Sequence, residues 1–240
     1  MLSLAGSVDL SGREIWFLDR YFGKDSYYVY AVNAFHNAFP EGKGIPVDKI
    51  HVPQGIFYHN GTIVHSDTLD RIFEENPGDY SMLGPEVFIL PNAEHPVLQG
   101  IEASTRDYEA NLPSERLQIL GIGVEGHIGF NEEGTLEDSV THLGVLAPST
   151  IEANADDFND GIKTRYYVTL GTASIMEGHT AVLLANGGKK IEAVYGLLHG
   201  NNSASVLRNH PNVYVFLTRD TLGLCDLDEL KKDERIEIRQ

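Results

Sequence analysis

Short apolar runs, each closed by a glycine or polar turn and followed by a helical pattern, recur along this chain. That alternation restricts it to βα units built on a largely parallel sheet, because strands that run the same way must be joined by crossovers long enough to hold a helix. The spacing predicts strands over 14–18, 49–52, 87–90, 117–122, 180–185 and 213–218. It predicts helices over 26–39, where apolar residues recur at helical spacing before Pro40 and Gly42, and over 189–198 behind Gly187 and Gly188. A further short helix is expected over 202–208, and the Lys/Asp/Glu-rich stretch 226–240 reads as a solvated terminal helix or tail. No internal repeat or low-complexity tract appears, so a single domain over 1–240 is expected.

Charge narrows the range of partners. With 35 Asp and Glu against 18 Lys and Arg the net charge is −17, a balance that repels phosphate backbones and anionic lipid surfaces. Neither a nucleic acid nor a membrane is therefore expected as a partner. The one cysteine, Cys225, cannot form an internal disulfide, and no apolar run approaches the roughly 20 residues that span a bilayer. Met1 to Leu4 lacks the basic start of a signal peptide, and a cytoplasmic location is expected. His179 and His199 stand without ligands at metal spacing, so neither a metal nor an organic cofactor is expected.

In open parallel sheets the ligand lies beyond the carboxyl ends of the strands. Four such ends carry chemistry: Asp19, Pro53-Gln54-Gly55, the turn 121–135 (GIGVEGHIGFNEEGT), and Asn186-Gly187-Gly188-Lys189. Gly121, Gly123 and Gly126 let the backbone approach a ligand where a Cβ would obstruct it. Their spacing also fits the start of a dinucleotide site, but Phe130-Asn131-Glu132-Glu133-Gly134 does not continue as the amphipathic helix such a site needs. Glu125, His127 and Glu132 can converge as an imidazole flanked by two carboxylates, a group able to move protons near neutral pH. Taken alone, one His among ten is more readily a turn cap with solvated glutamates beside it.

The turn closely resembles the G-x-G-x-D/N-G-H-I-x-F-N-E-P-G signature of the glucosamine-6-phosphate deaminase family, which includes galactosamine-6-phosphate isomerases. The related 6-phosphogluconolactonases share its glycine-rich half, so Phe130-Asn131-Glu132 is the discriminating part. Trp16 to Gly23 resembles the family strand that ends in its general base, here Asp19. Ile45 to His51, Ala153 to Phe158, Val168 to Thr172 and Gly187-Gly188-Lys189 follow in the family's order, with an insertion at about 55–94. The resemblance implies a three-layer, Rossmann-like α/β fold with a mainly parallel sheet and helices on both faces. It also implies conversion of glucosamine 6-phosphate or galactosamine 6-phosphate to a ketose 6-phosphate and ammonia. Asp19 would carry a proton between C2 and C1, and His127, with Glu125 and Glu132, would open the ring. Gly121, Gly123, Gly126 and Lys189 would bind substrate. A homo-oligomer is compatible with this reading.

Departures accompany the matches. The family's first strand and its Ser/Thr-Gly-Gly phosphate turn have no counterpart here, which suits either a truncated enzyme or a divergent one. Glu125 stands where Asp or Asn is common, Glu133 replaces Pro, Arg20 replaces Glu, and Asp156 occupies the place of a phosphate-binding Arg. Arg165, Lys163, Lys189 and Lys190 are the remaining candidates for meeting a phosphate. The stretch 136–142 lacks the Arg-rich character that would accompany allosteric control and tilts the expectation toward a galactosamine substrate or an unassigned isomerase branch. The rival functions are a lactonase that releases an acid and a sugar-phosphate sensor that binds without turnover.

Overall fold

In the computed structural model, which describes residues 8–24, 26–155, 164–223, 225, 226 and 228, short strands alternate with helices along the chain. The first half holds β1 (Ile15–Trp16), β2 (Asp19–Tyr21), α1 (Ser26–Val32), β3 (Ile50–His51), β4 (Tyr58–His59), β5 (Thr62–Ile63), α2 (Ser66–Glu75), β6 (Tyr80–Leu83), β7 (Glu86–Ile89) and α3 (Pro96–Ala110). The second half holds β8 (Leu117–Leu120), β9 (His142–Val145), α4 (Pro148–Ala153), β10 (Tyr166–Thr169), α5 (Thr172–Met176), β11 (Thr180–Ala185), α6 (Ile191–His199) and β12 (Val213–Leu217). Residues 1–7, Asp25, 156–163, Leu224 and most of 226–240 lie outside the described set, and with them Asp156, Lys163 and the expected terminal tail.

The α/β class is as expected, but parallel pairing does not dominate. Strands β8, β11 and β12 form a parallel sheet in the order β12-β11-β8, and β1 pairs with β3 in parallel. A five-stranded sheet, β2-β10-β9-β7-β6, is antiparallel throughout. Hydrophobic patterning marks a strand without giving its direction, and here the run at 87–90 is the return arm of a hairpin. Its turn needs Gly84, whose φ is +58° and whose absent Cβ leaves room for the Gly134 carbonyl. Segment 55–94 contributes both hairpins and α2, and β7 joins β9, so the segment is woven into the sheet.

Helix ends follow local chemistry. Pro96 occupies the first turn of α3, His95 caps it by accepting the Val97 N–H at 3.2 Å, and Asp79 accepts the N–H groups of Glu94 and His95 at 2.9 Å each. The expected helix at 26–39 passes from α1 into a wider turn over Asn33–Asn37. The one at 189–198 begins later, at Ile191 behind a tight turn over Gly188–Lys190, and stops at Gly200 with φ +81°.

Side-chain alternation divides the core. Tyr166 and Val168 turn toward Leu69, Phe73, Leu98 and Ile101 of α2 and α3. Tyr167 faces the opposite way, onto Tyr21, Phe130 and Leu146. The parallel sheet buries Leu120, Ala181 and Leu183 against Val194 and Leu197 of α6, while Leu117, Ile119, Leu184, Tyr214 and Phe216 on its other face are exposed. Leu183 is fully buried in the central strand of that sheet, so Leu183→Ala should lower unfolding free energy by about 3 kcal/mol, read by urea denaturation.

Candidate active site

The register of the antiparallel sheet places functional side chains on one face. Asp19 lies opposite Thr169, and Tyr21 opposite Tyr167; Thr169 in turn faces His142, Tyr167 faces Gly144, and Gly144 faces Glu86. The glycine-rich turn packs onto this face. The Phe130 N–H donates to the Thr169 hydroxyl at 3.2 Å, and the Asn131 amide donates to the carbonyls of Ile128 and Leu170 at 2.8 and 2.9 Å. Gly129, with φ +57°, permits the close approach: a Cβ there would lie 2.8 Å from the Thr169 hydroxyl and 3.7 Å from Asp19 Oδ2. The carboxyl from the first strand pair is thus pressed against the turn that carries His127.

His127 is buried over Gly123, where any Cβ would overlap ring atoms Cε1 and Nε2. Its Nδ1 lies 3.4 Å from Glu132 Oε2, long for a hydrogen bond. The other Glu132 oxygen accepts the Ala147 N–H at 3.2 Å, at the start of α4. Desolvation pushes the Glu132 carboxyl up. Hydrogen bonding from His127 and the nearby Thr150, the His127 charge and the Ala147 amide together outweigh it and hold the group below the usual carboxylate range.

Asp19 behaves in the opposite way. Desolvation pushes its carboxyl up to about 7, against the pull of the His127 charge. The residue as a whole is half-buried, and protein packs round its carboxyl. Tyr108 of α3 shares this environment; burial and the Asp19 charge raise its hydroxyl, which donates to the Phe17 carbonyl at 2.8 Å. The His127 charge therefore acts on two acids, one kept as a carboxylate and one poised to take or release a proton near neutrality.

The other expected site residues fall unequally. Glu125 is exposed on the turn, and among the described residues no hydrogen bond or ion pair joins it to His127. Gly121 is exposed just beyond β8, and Gly126, at φ +84°, packs against the Asn202 side chain. Lys189 is exposed after β11, on the edge where the turn after β8 also emerges because the two strands are parallel. Arg165 is taken by an ion pair with Asp70 of α2, and Arg20 is buried with its guanidinium on the carbonyls of Lys24 and Pro53. Sequence reasoning missed Tyr108 and Thr150, because each reaches the site from an element remote in sequence and leaves no local pattern.

No protein-family model matches the chain. A glucosamine-6-phosphate deaminase of Halalkalibacterium halodurans is 36% identical over 192 residues, an alignment that covers 72% of this chain and 76% of the relative. The chain belongs to the glucosamine-6-phosphate deaminase family. A solved monomeric glucosamine-6-phosphate deaminase, described as a missing link of the NagB superfamily, is 28% identical and superposes with a TM-score of 0.66 over 93% of this chain and 80% of that one. A 6-phosphogluconolactonase from Leishmania guyanensis, 15% identical, shares the fold at a TM-score of 0.56 over 94% of this chain and 78% of that one. Among the described residues, no helix is long and apolar enough to cross a membrane, and no group of three or more His, Cys, Asp and Glu side chains is placed to hold a metal ion.

Proposed function

We propose that this chain is an amino-sugar-phosphate isomerase and deaminase acting on glucosamine 6-phosphate or its galacto epimer, giving a ketose 6-phosphate and ammonia. The observation that carries the reading is the convergence of Asp19, at about 7, on the turn holding the His127–Glu132 pair. His127, steadied by Glu132, moves the proton from the anomeric hydroxyl to the ring oxygen, which opens the ring. Asp19 as a carboxylate takes the C2 proton to give an enolamine and returns it to C1, leaving an imine at C2. Water adds to that carbon, and ammonia leaves. An acid with affinity for protons near neutrality suits both halves of the transfer, since it is neither too weak a base to abstract nor too strong to give back.

The exposed glycine turn after β8 and Lys189 after β11 are offered as the substrate and phosphate contacts, because free N–H groups and a cation suit a dianion in an otherwise acidic chain. The named relatives make glucosamine 6-phosphate the first substrate to try, ahead of the galacto epimer toward which the stretch 136–142 tilted. The test is direct. Incubation with either amino-sugar phosphate should release ammonia and ketose phosphate in equal amounts. Acid release from a phosphorylated sugar lactone with no ammonia would replace this reading by the lactonase, and calorimetric binding without turnover would replace it by the sensor.

A further inference from the structure

Glu86 is buried on the same sheet face as Asp19, and the proposed reaction does not use it. One carboxyl oxygen accepts the Leu136 N–H at 2.6 Å and the other the Ser139 hydroxyl at 2.8 Å. Both partners lie in the loop that leads from Glu132 to β9, which has no ladder of its own to satisfy its backbone. Farther along, Glu109 of α3 accepts the Thr141 N–H at 2.9 Å and the Ser174 hydroxyl at 2.8 Å, so carboxyl groups from two elements hold the loop. His142 supports the arrangement. Burial lowers its proton affinity, and its Nδ1 lies 2.8 Å from the Val140 carbonyl and 2.9 Å from Ser139 Oγ. A proton on Nδ1 serves both oxygens and leaves the Ser139 hydrogen for Glu86.

Tyr167 links Glu86 to the catalytic pair by a second route. Gly144, between Tyr167 and Glu86 in the cross-strand row, lets the ring lie across the gap; a Cβ there would overlap Cζ and the hydroxyl. That hydroxyl is buried without a hydrogen-bond partner among the described residues, and the acids that act on it are Glu132 and Glu86.

We propose that Glu86 is a positioning residue for the His127–Glu132 pair: it fixes the loop that begins at Glu132 and, across the Tyr167 hydroxyl, sets where the Glu132 carboxyl rests. Its effect on turnover rests on the proposed function; its effect on Glu132 does not.

The experiment compares wild type, Glu86→Ala, Glu86→Gln and Tyr167→Phe by ammonia release and by carbon NMR titration of the Glu132 carboxyl. The groups facing that carboxyl are His127 on the turn, Thr150 and the Ala147 N–H at α4, and Tyr167 on β10. Glu86→Ala should lower kcat by about 10- to 100-fold with KM within about threefold, the cost of a catalytic group displaced by about an ångström. Its Glu132 carboxyl should titrate closer to the usual range, and Glu86→Gln, which keeps one acceptor, should recover most of both. Should Glu86→Ala fail to fold, Tyr167→Phe, which preserves the ring, should still move the Glu132 titration upward. A merely structural Glu86 would lower thermal stability in these variants and leave kcat per folded molecule and the Glu132 titration at wild-type values, which would overturn the proposal. If wild type releases no ammonia, the deaminase reading falls, and the Glu132 titration still decides for or against the brace.

Discussion

Replacing Asp19 with Asn should make the folded protein more stable above neutral pH while removing turnover. The folded carboxyl keeps its proton to about pH 7, whereas an unfolded Asp releases it near 3.8. Between those values the folded state binds more protons than the unfolded state, so stability falls as pH rises through that window and the full penalty is present above it. About three decades of proton affinity correspond to at most about 4 kcal/mol, less to the extent that the cleft admits water. Asn keeps the shape and carries no charge to desolvate. Its denaturation midpoint should therefore match wild type near pH 4 and exceed it at pH 8, while kcat falls by about 10²- to 10⁴-fold, the usual contribution of a positioned proton carrier. In wild type, kcat/KM should fall as pH drops through about 7, where Asp19 gains its proton. A variant less stable than wild type at pH 8 would mean that the Asp19 charge is satisfied in the fold, and the base assignment would fail with it.

Gly123→Ala should separate activity from folding in the other direction. The backbone at this position is not left-handed, so Ala is conformationally allowed, and the conflict is with the imidazole lying on it. The ring must swing away from Glu132, and overpacking of this kind costs about 1–3 kcal/mol. Loss of the aligned imidazole should reduce kcat by about 100-fold or more, with circular dichroism and the cooperative unfolding transition retained. Gly12→Ala, where a Cβ meets nothing within 4 Å, is the control and should behave as wild type. Wild-type turnover in Gly123→Ala would show that His127 does not act from this position.

How far the site was legible depended on where its residues lie along the chain. Gly123, His127, Asn131 and Glu132 could be read together because one turn of consecutive residues carries them, and the glycine's purpose, room for the ring, is a local one. Asp19 was legible as the polar residue after the apolar run 14–18, although it opens the antiparallel strand β2 rather than following a parallel one. What raises its proton affinity, the packing of α3 and of the 127–131 turn around it, is set by residues about a hundred positions away. Glu125 looked equivalent to Glu132 by composition and spacing, yet the bend at Gly126 leaves it exposed while Glu132 folds back. Arg165 looked like a free cation until α2 brought Asp70 to it. Glu86 carries no sequence signal of its own, since nothing local announces a carboxyl that accepts from a loop some fifty residues away.

The sequence by itself determined the α/β class, the ends of the longer apolar strands, and a glycine turn bearing an imidazole and a carboxyl, because period, turn chemistry and backbone freedom are properties of neighbouring residues. Only the tertiary structure decided strand direction and which buried acids are charged. Antiparallel pairing of β2, β10, β9 and β7 placed Asp19, Thr169, Tyr167 and Glu86 on one face, and both pairing and desolvation depend on atoms that meet only when distant segments pack.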